Sequence, residues 1–594
     1  MNNKYKGGMN MKLIELLRKI LKNLKTSIKR FPVTIGISVA CVILLIYLSE
    51  LGYDGSNNLK EIIKRIVMVL ALGIPLSLSI KLIFERLEKK KKIQLFGSYL
   101  IGVIALILYY VFLLESFNMI PITRYTGVSL MLYLSFLTIS YLPNRDNFER
   151  YIIKILGRFF TTVIYSLVLF LGLSAILFTI DRLLGVSVKG EIYYYCWLIV
   201  VGVFAVTFFL AGIPQYEDNL NDYEYPKVIK VLILYIVMPL ISVYTLILYI
   251  YFGKIIITTQ WPQGLVSHLV LWYSAISAFI LFLITPLVKH NIWAKRFMEI
   301  FPKVIIPLVI MMFFSIGIRI NAYGVTENRY YVVALALWIL LIMLYFSKVK
   351  KYRNIILPIS LAVIIFISIF GPISSYSVSK FSQNKRLEKI LLNYDMINNN
   401  SVVKSNKIIP EEDMREISSI IRYFDMKHDL SELKYFPKDF KIDKMESILG
   451  FKYYDEYYNN GDNYFFLSSR STNQFVDIRG YDYLFDGRNQ GFKGDSTGEY
   501  ALDFNYETNM LKIKQSSNEI YSKDLTVYIN NLIDKYGYSK TSDNVPASEM
   551  SFEDENEDIK IKIQLVHLSG MRELSTGKIQ SKGIEFYILI KNKK

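Results

Sequence analysis

The sequence predicts a polytopic α-helical membrane bundle that carries a C-terminal α+β soluble domain. Three observations lead there. Apolar residues come in eleven blocks of membrane-spanning length, Lys and Arg gather in alternate connectors, and beyond about residue 438 the apolar pattern changes to alternation at period two.

The blocks come first. Hydrophobic residues make up 53% of the chain and the mean hydropathy is +0.31, a balance at which a soluble protein would precipitate. About 20 apolar residues are needed to cross a hydrocarbon core of roughly 30 Å. Blocks of that order run over Phe31–Leu48, Ile63–Ile83, Leu95–Leu114, Gly127–Leu142, Phe159–Ile180 and Tyr193–Ile213. They continue over Val228–Ile250, Val266–Leu287, Val304–Ile320, Tyr331–Phe346 and Ile355–Ile373. Both cysteines, Cys41 and Cys196, fall inside blocks, which argues against disulfide frameworks and zinc ribbons.

Charge then orients the bundle. Lys and Arg are retained on the cytoplasmic side during insertion. The first thirty residues carry nine of them and no signal-peptide cleavage pattern. The connectors "ERLEKKKKIQ" and "SKVKKYRN" are strongly basic, whereas the connectors after the third and seventh blocks hold one basic residue each. The expectation is a multi-pass cell-membrane protein with a cytoplasmic N-terminus and an extracytoplasmic C-terminal domain. The formal charge of +18 then belongs to membrane topology rather than to nucleic-acid binding.

Four regions follow. Residues 1–30 read as a cytoplasmic basic amphipathic helix, with Leu13, Leu16, Leu17, Ile20, Leu21 and Leu24 at helical spacing, suited to the inner headgroup layer. Residues 31–373 form the transmembrane helical domain and 374–437 a helical connector, in which Pro410 and three following acids mark a helix start. Residues 438–594 read as an extracytoplasmic α+β domain, with strand-like runs such as "EYALDFNYETNMLKIKQ" and "EDIKIKIQLVHLSG".

The search for chemistry yields polar motifs rather than catalytic ones. The chain contains no Walker loop, HExxH, GxSxG or helix-opening GxGxxG, so no metal or cofactor is expected. Three unusual polar stretches share the expected outer face: "KIIITTQWPQG", "RINAYGVTENRYY" and "FGPISSYSVSKFSQNKRL". Candidate ligand-binding residues there are Trp261, His268, Arg319, Tyr323, Glu327 and Arg329. Each also has a structural reading. Trp261 suits an interfacial aromatic belt, and His268 an interfacial hydrogen bond. Gly324 would permit the bend, Thr326 would cap the next helix, and Glu327 would sit at that helix's positive end. Arg319 and Arg329 would reach lipid phosphate, Glu327 or an anionic ligand. In the outer domain, "DIRGYDYLF" would place Asp477, Arg479, Tyr481 and Tyr483 on one strand face, with Gly480 as a bulge or a close approach. That face would suit a glycan or peptide, or a junction with the membrane domain.

Together "KRFPVT", "YIYFGKIIITTQWPQG", "RINAYGVTENRYY", "FGPISSYSVSKFSQNKRL" and "DIRGYDYL" resemble an uncharacterised domain-of-unknown-function family of bacterial multi-pass membrane proteins with a C-terminal extracytoplasmic domain. The resemblance implies the architecture and brings no reaction, substrate or site residue. The expected function is binding or moving a lipid-linked or small cell-envelope component at the outer face, with membrane lipids as partners. The alternatives are a membrane glycosyl- or phospholipid-group transferase using Asp54, and a membrane signalling scaffold.

Overall fold

A computed structural model describes residues 24–51, 57–87, 92–142, 147–216, 218, 224–258, 265–349, 352–454, 464–469, 476–487, 500–505, 508–516, 518–536, 545–572 and 579–593. The chain forms two compact units, Met1–Arg386 and Leu387–Lys594, whose boundary falls inside the stretch read above as a connector.

The first unit is helical because its apolar blocks can satisfy their backbone groups in hydrocarbon only by coiling. Its helices are α1 (Pro32–Glu50), α2 (Asn57–Arg86), α3 (Lys92–Phe112), α4 (Met119–Ile139), α5 (Phe148–Leu184) and α6 (Gly190–Leu210). They continue with α7 (Lys227–Thr258), α8 (Leu265–Ile284), α9 (Ile292–Tyr323), α10 (Glu327–Lys348) and α11 (Ile356–Ile369). Among the described residues ten of these are long and apolar enough to cross a membrane. The block expected to end at Ile373 is corrected: α11 has only 14 residues. At 1.5 Å per residue it covers about 21 Å, short of a full core. Breaks on both sides shorten it, a turn at residues 354–355 and the irregular segment 370–374, where Gly371 has φ +86°.

Hydrogen bonds sort the helix ends onto two faces. On the first face Arg30 pairs with Glu85 at 2.8 Å and donates to the carbonyls of Ile213 and Pro214. Arg86 donates to Ile139 O, and the Asn354 amide bridges Glu149 and Thr285. On the second face Tyr195 bonds Glu50, Arg65 donates to Tyr110 O, and Ser267 meets Ser315. There Tyr330 donates to Ile373 O and Tyr331 meets Ser375. Thus the path through α11 leaves the first face at Asn354 and reaches the second by Ile373, so the short helix and its flanks together run the length of α10. Midway, Trp338 Nε1 donates to Ser360 Oγ.

Two spans carry a widened π-helical stretch, Val200–Ala205 in α6 and Leu232–Val237 in α7. Such turns free a carbonyl, and neighbours supply the donors: Ser38 Oγ to Gly202 O at 2.5 Å and Trp293 Nε1 to Leu234 O at 3.3 Å.

In the second unit, Leu387 and Leu391 from the last turns of α12 (Ser375–Asn393) pack with Ile417, Ile421 and Phe424 of α13 (Glu411–Lys427). Glu411, Glu412 and Asp413 occupy the first turn of α13, as the helix dipole favours. Besides a short antiparallel hairpin of β1 (Ile397–Asn398) and β2 (Ser401–Val402), the strands make two larger antiparallel sheets. One has the order β3 (Tyr464–Ser468), β9 (Ile559–Arg572), β10 (Ile579–Asn592), β4 (Tyr483–Asp486), with β8 (Ser551–Glu555) also paired to β9. The other is β5 (Tyr500–Asn505), β6 (Met510–Gln515), β7 (Asn518–Asp524). Leu467, Leu511, Ile513, Ile561 and Ile588 from both sheets, with Ile529 and Ile533 of α14 (Thr526–Tyr536), form one core, so this unit is a mixed α+β domain. Between the sheets, the Lys523 ammonium and then the Tyr521 hydroxyl, at 2.9 and 2.7 Å, hold the Asp554 carboxyl below its usual range.

Candidate functional site

Every helix ends with carbonyls that lack an intrahelical partner and carry the negative end of its dipole. In the first unit arginines from neighbouring segments meet this demand. Arg65 and Arg86 do so at α3 and α4, while Arg158 sends Nε and Nη2 to Phe208 O at 3.1 and 2.6 Å near the end of α6. Arg329 belongs to this set. Its Nη1 reaches Tyr323 O at 3.1 Å and Gly324 O at 2.8 Å, closing the end of α9.

The expected ligand residues of the Arg319–Arg329 turn therefore separate. The Tyr323 carbonyl also accepts from Gln383 Nε2 at 3.1 Å and Arg386 Nη1 at 3.3 Å, while its ring is exposed beneath the Arg329 and Arg386 guanidinium groups. Gly324 takes φ +68°, as the bend requires. Thr326 sits at the N-cap position of α10, but its side chain makes no cap bond, a correction to its expected role. Glu327 is buried in the first turn of α10. Arg319, half-buried one turn before the end of α9, makes no hydrogen bond or ion pair among the described residues. His268 is exposed on α8 and likewise unpaired among them, while Trp261 and Asp54 lie outside the described residues. The turn is thus a braced helix end.

The outer-domain motif is corrected. Asp477, Arg479, Tyr481 and Tyr483 do not share a strand face, because Arg479 and Gly480 form a turn with Gly480 at φ +84° and only Tyr483 enters β4. A β-carbon added at Gly480 would meet nothing within 4 Å, so the glycine serves its backbone angle. Arg479 grips Asp477 with Nε at 2.9 Å and Nη2 at 2.6 Å, which holds that carboxyl down at about 2. The pair is local and solvent-exposed, and the Tyr483 ring packs on Tyr500.

What sequence reasoning missed is a groove. Helices α4, α8, α10 and α11, with the start of α5, line an open groove of about 660 Å³, within the roughly 300–1,000 Å³ usual for small-molecule sites. Its walls are hydrocarbon along their length, including Leu130, Leu134, Ala275, Phe279, Leu335 and Leu361. Phe148 and Ile152 line it toward the first face, and Tyr331, Thr123 and Ser368 toward the second. Few polar groups lie along it: Thr123 and Thr126 bond carbonyls of their own helix, the Trp338 indole bonds Ser360, and Trp272 adds a second indole. Such a space favours an alkyl chain over water. Residues from five helices make it, spread from Thr123 to Ile369, so no single stretch announces it. Gly127 sits where α4 meets α11; a β-carbon there would press on Ile369 at 2.7 Å.

Among the described residues no group of three His, Cys, Asp or Glu side chains could hold a metal ion.

Comparison with known proteins adds lineage. The protein PM1469 of Pasteurella multocida (strain Pm70), described as uncharacterized, is 25% identical over 224 residues. That stretch is 37% of this chain and 38% of PM1469, so the match spans well under half of that relative's length. No solved structure matches the chain. The model of the domain of unknown function DUF4153 matches residues 26–403, which contain all eleven apolar helices. This multi-pass membrane protein therefore belongs to the DUF4153 family.

Proposed function

We propose that the protein binds, and in turnover passes on, a lipid-linked component of the cell envelope, with the hydrocarbon chain of that component lying in the groove. The observation that carries this reading is the groove itself: an alkyl-sized space between helices of the bundle whose long walls are almost wholly hydrocarbon. The orientation belongs to the same reading. The basic N-terminal segment and the basic connectors beyond α2 and α10 adjoin the first face, which the retention of Lys and Arg assigns to the cytoplasm. The second face, with the polar end of the groove, is then extracytoplasmic, and so is the second unit.

Filling the groove tests the binding. Ala275 and Ala334 line it and are half-buried, so Ala275→Phe with Ala334→Phe adds two rings to the space with room for them. Native mass spectrometry of gently extracted protein should show co-purified lipid falling at least severalfold, with little change in thermal midpoint. Unchanged lipid occupancy in a folded double variant would contradict the reading.

A further inference from the structure

The groove explains a hydrocarbon chain but leaves the polar end of its occupant unassigned. Where Thr123, Thr126 and Gly127 of α4 line it, the intervening helical turn carries Arg124. Its guanidinium carbon lies 5.9 Å from the ring centres of both Phe370 and Tyr376, a half-buried cation between aromatic side chains. Arg30, Arg65, Arg86, Arg158 and Arg329 each give at least one donor to a carbonyl, although Arg65 Nε is left without a partner, and Arg30 also pairs with a carboxylate. Arg124 does not: its Nε is buried with no hydrogen-bond partner. Tyr376, 6% exposed, has an unpartnered hydroxyl, and so does Ser379, fully buried one helical turn further on. A buried donor left without an acceptor costs about 1–3 kcal/mol, and more when it belongs to a charged group. Here a fixed cation and two neighbouring hydroxyls on α12 lie without hydrogen-bond partners among the described residues.

The missing acceptor is anionic, and it must lie at the end of an alkyl groove. We infer that Arg124, with Tyr376 and Ser379, receives the phosphate of a lipid whose chain occupies the groove. Phosphate offers only acceptor oxygens, and the guanidinium fork matches them in pairs. The inference rests on the groove being a lipid site, and it names the headgroup chemistry of that site.

The test uses the purified full-length chain in detergent, titrated with two lipids of identical chains: dioleoyl phosphatidylglycerol and dioleoylglycerol, which lacks the phosphate. Wild type should prefer the phospholipid by about tenfold or more, the scale of one charge-assisted pair. Arg124→Gln should reduce the phospholipid to the level of dioleoylglycerol without weakening the latter. Arg124→Lys, which keeps the charge and loses the fork, should retain part of the preference. Tyr376→Phe with Ser379→Ala, which leaves the cation in place, should narrow the preference severalfold and serves as the second variant if Arg124→Gln does not fold. Equal binding of the two lipids by wild type, or a full preference surviving in Arg124→Gln, overturns the phosphate site and leaves the groove standing. Binding of neither lipid overturns both. Inorganic phosphate in large excess should not displace the phospholipid; displacement that depends on Arg124 would mark a free-anion site and sink the lipid assignment.

Discussion

Gly324→Val is expected to lower the stability of the extracted protein by several kcal/mol and to cut its abundance in the membrane. The residue sits at φ +68°, where a β-branched side chain costs about 1–3 kcal/mol. A β-carbon would also lie 2.9 Å from Gln383 Nε2 and 3.2 Å from Ser382 Oγ. Those two groups hold the turn: Gln383 donates to Tyr323 O and Val325 O, and Ser382 accepts from Val325 N at 2.8 Å. Pushing them aside leaves helix-end carbonyls short of donors, at about 1–3 kcal/mol for each buried group unpaired. Gly371→Ala supplies the comparison. That glycine has φ +86° but open space around it, so its replacement should cost only the backbone term, about 1 kcal/mol. The thermal midpoints of the two variants check this, and equal losses would show that the Gln383 brace contributes nothing.

Arg158→Ala and Gly212→Ala should each destabilise the bundle by about 2–4 kcal/mol, and together by little more than Arg158→Ala alone. Arg158 gives two hydrogen bonds to Phe208 O and lies 3.8 Å over the Phe208 ring, so its loss removes a charge-assisted contact and a desolvated cation–π contact. The stem of Arg158 runs across Gly212 so closely that an added β-carbon would overlap its Cγ, Cδ and Nε. Gly212→Ala therefore acts by displacing the arginine, and once the arginine is gone it has nothing to displace. A double-mutant cycle on thermal or denaturant midpoints measures the coupling. Additive losses would show that glycine and arginine act separately.

The parts of this architecture legible in the sequence are those set by local composition. Apolar length placed the helices, and the acids after Pro410 placed the start of α13. Gly324 read correctly because a positive φ is a property of one residue. What was hidden depends on neighbours remote in sequence. Arg329 was legible only as a partner for Glu327, lipid phosphate or an anionic ligand, because nothing local shows that its guanidinium returns to the carbonyls at the end of α9. "DIRGYDYLF" read as strand because its alternation is good, yet the Asp477–Arg479 pair and Gly480 fold it into a turn before β4 begins. The block ending at Ile373 read as a long helix because hydropathy does not register the bend at Gly371. The groove and Arg124 were hidden for a further reason: a hollow between helices and an arginine without a partner are defined by what surrounds them.

The central claim, that a lipid chain occupies the space between α4, α8, α10 and α11, is tested most directly by photo-labelling. The protein would be reconstituted with a phospholipid bearing a diazirine in its acyl chain, irradiated and digested for mass spectrometry. The account predicts labels concentrated on groove residues such as Leu134, Ala275, Ala334 and Leu361, and lost from them when Ala275 and Ala334 are both phenylalanine. Labels spread evenly over outward-facing apolar residues such as Phe160, Val163 and Leu246, with no excess in the groove, would contradict it.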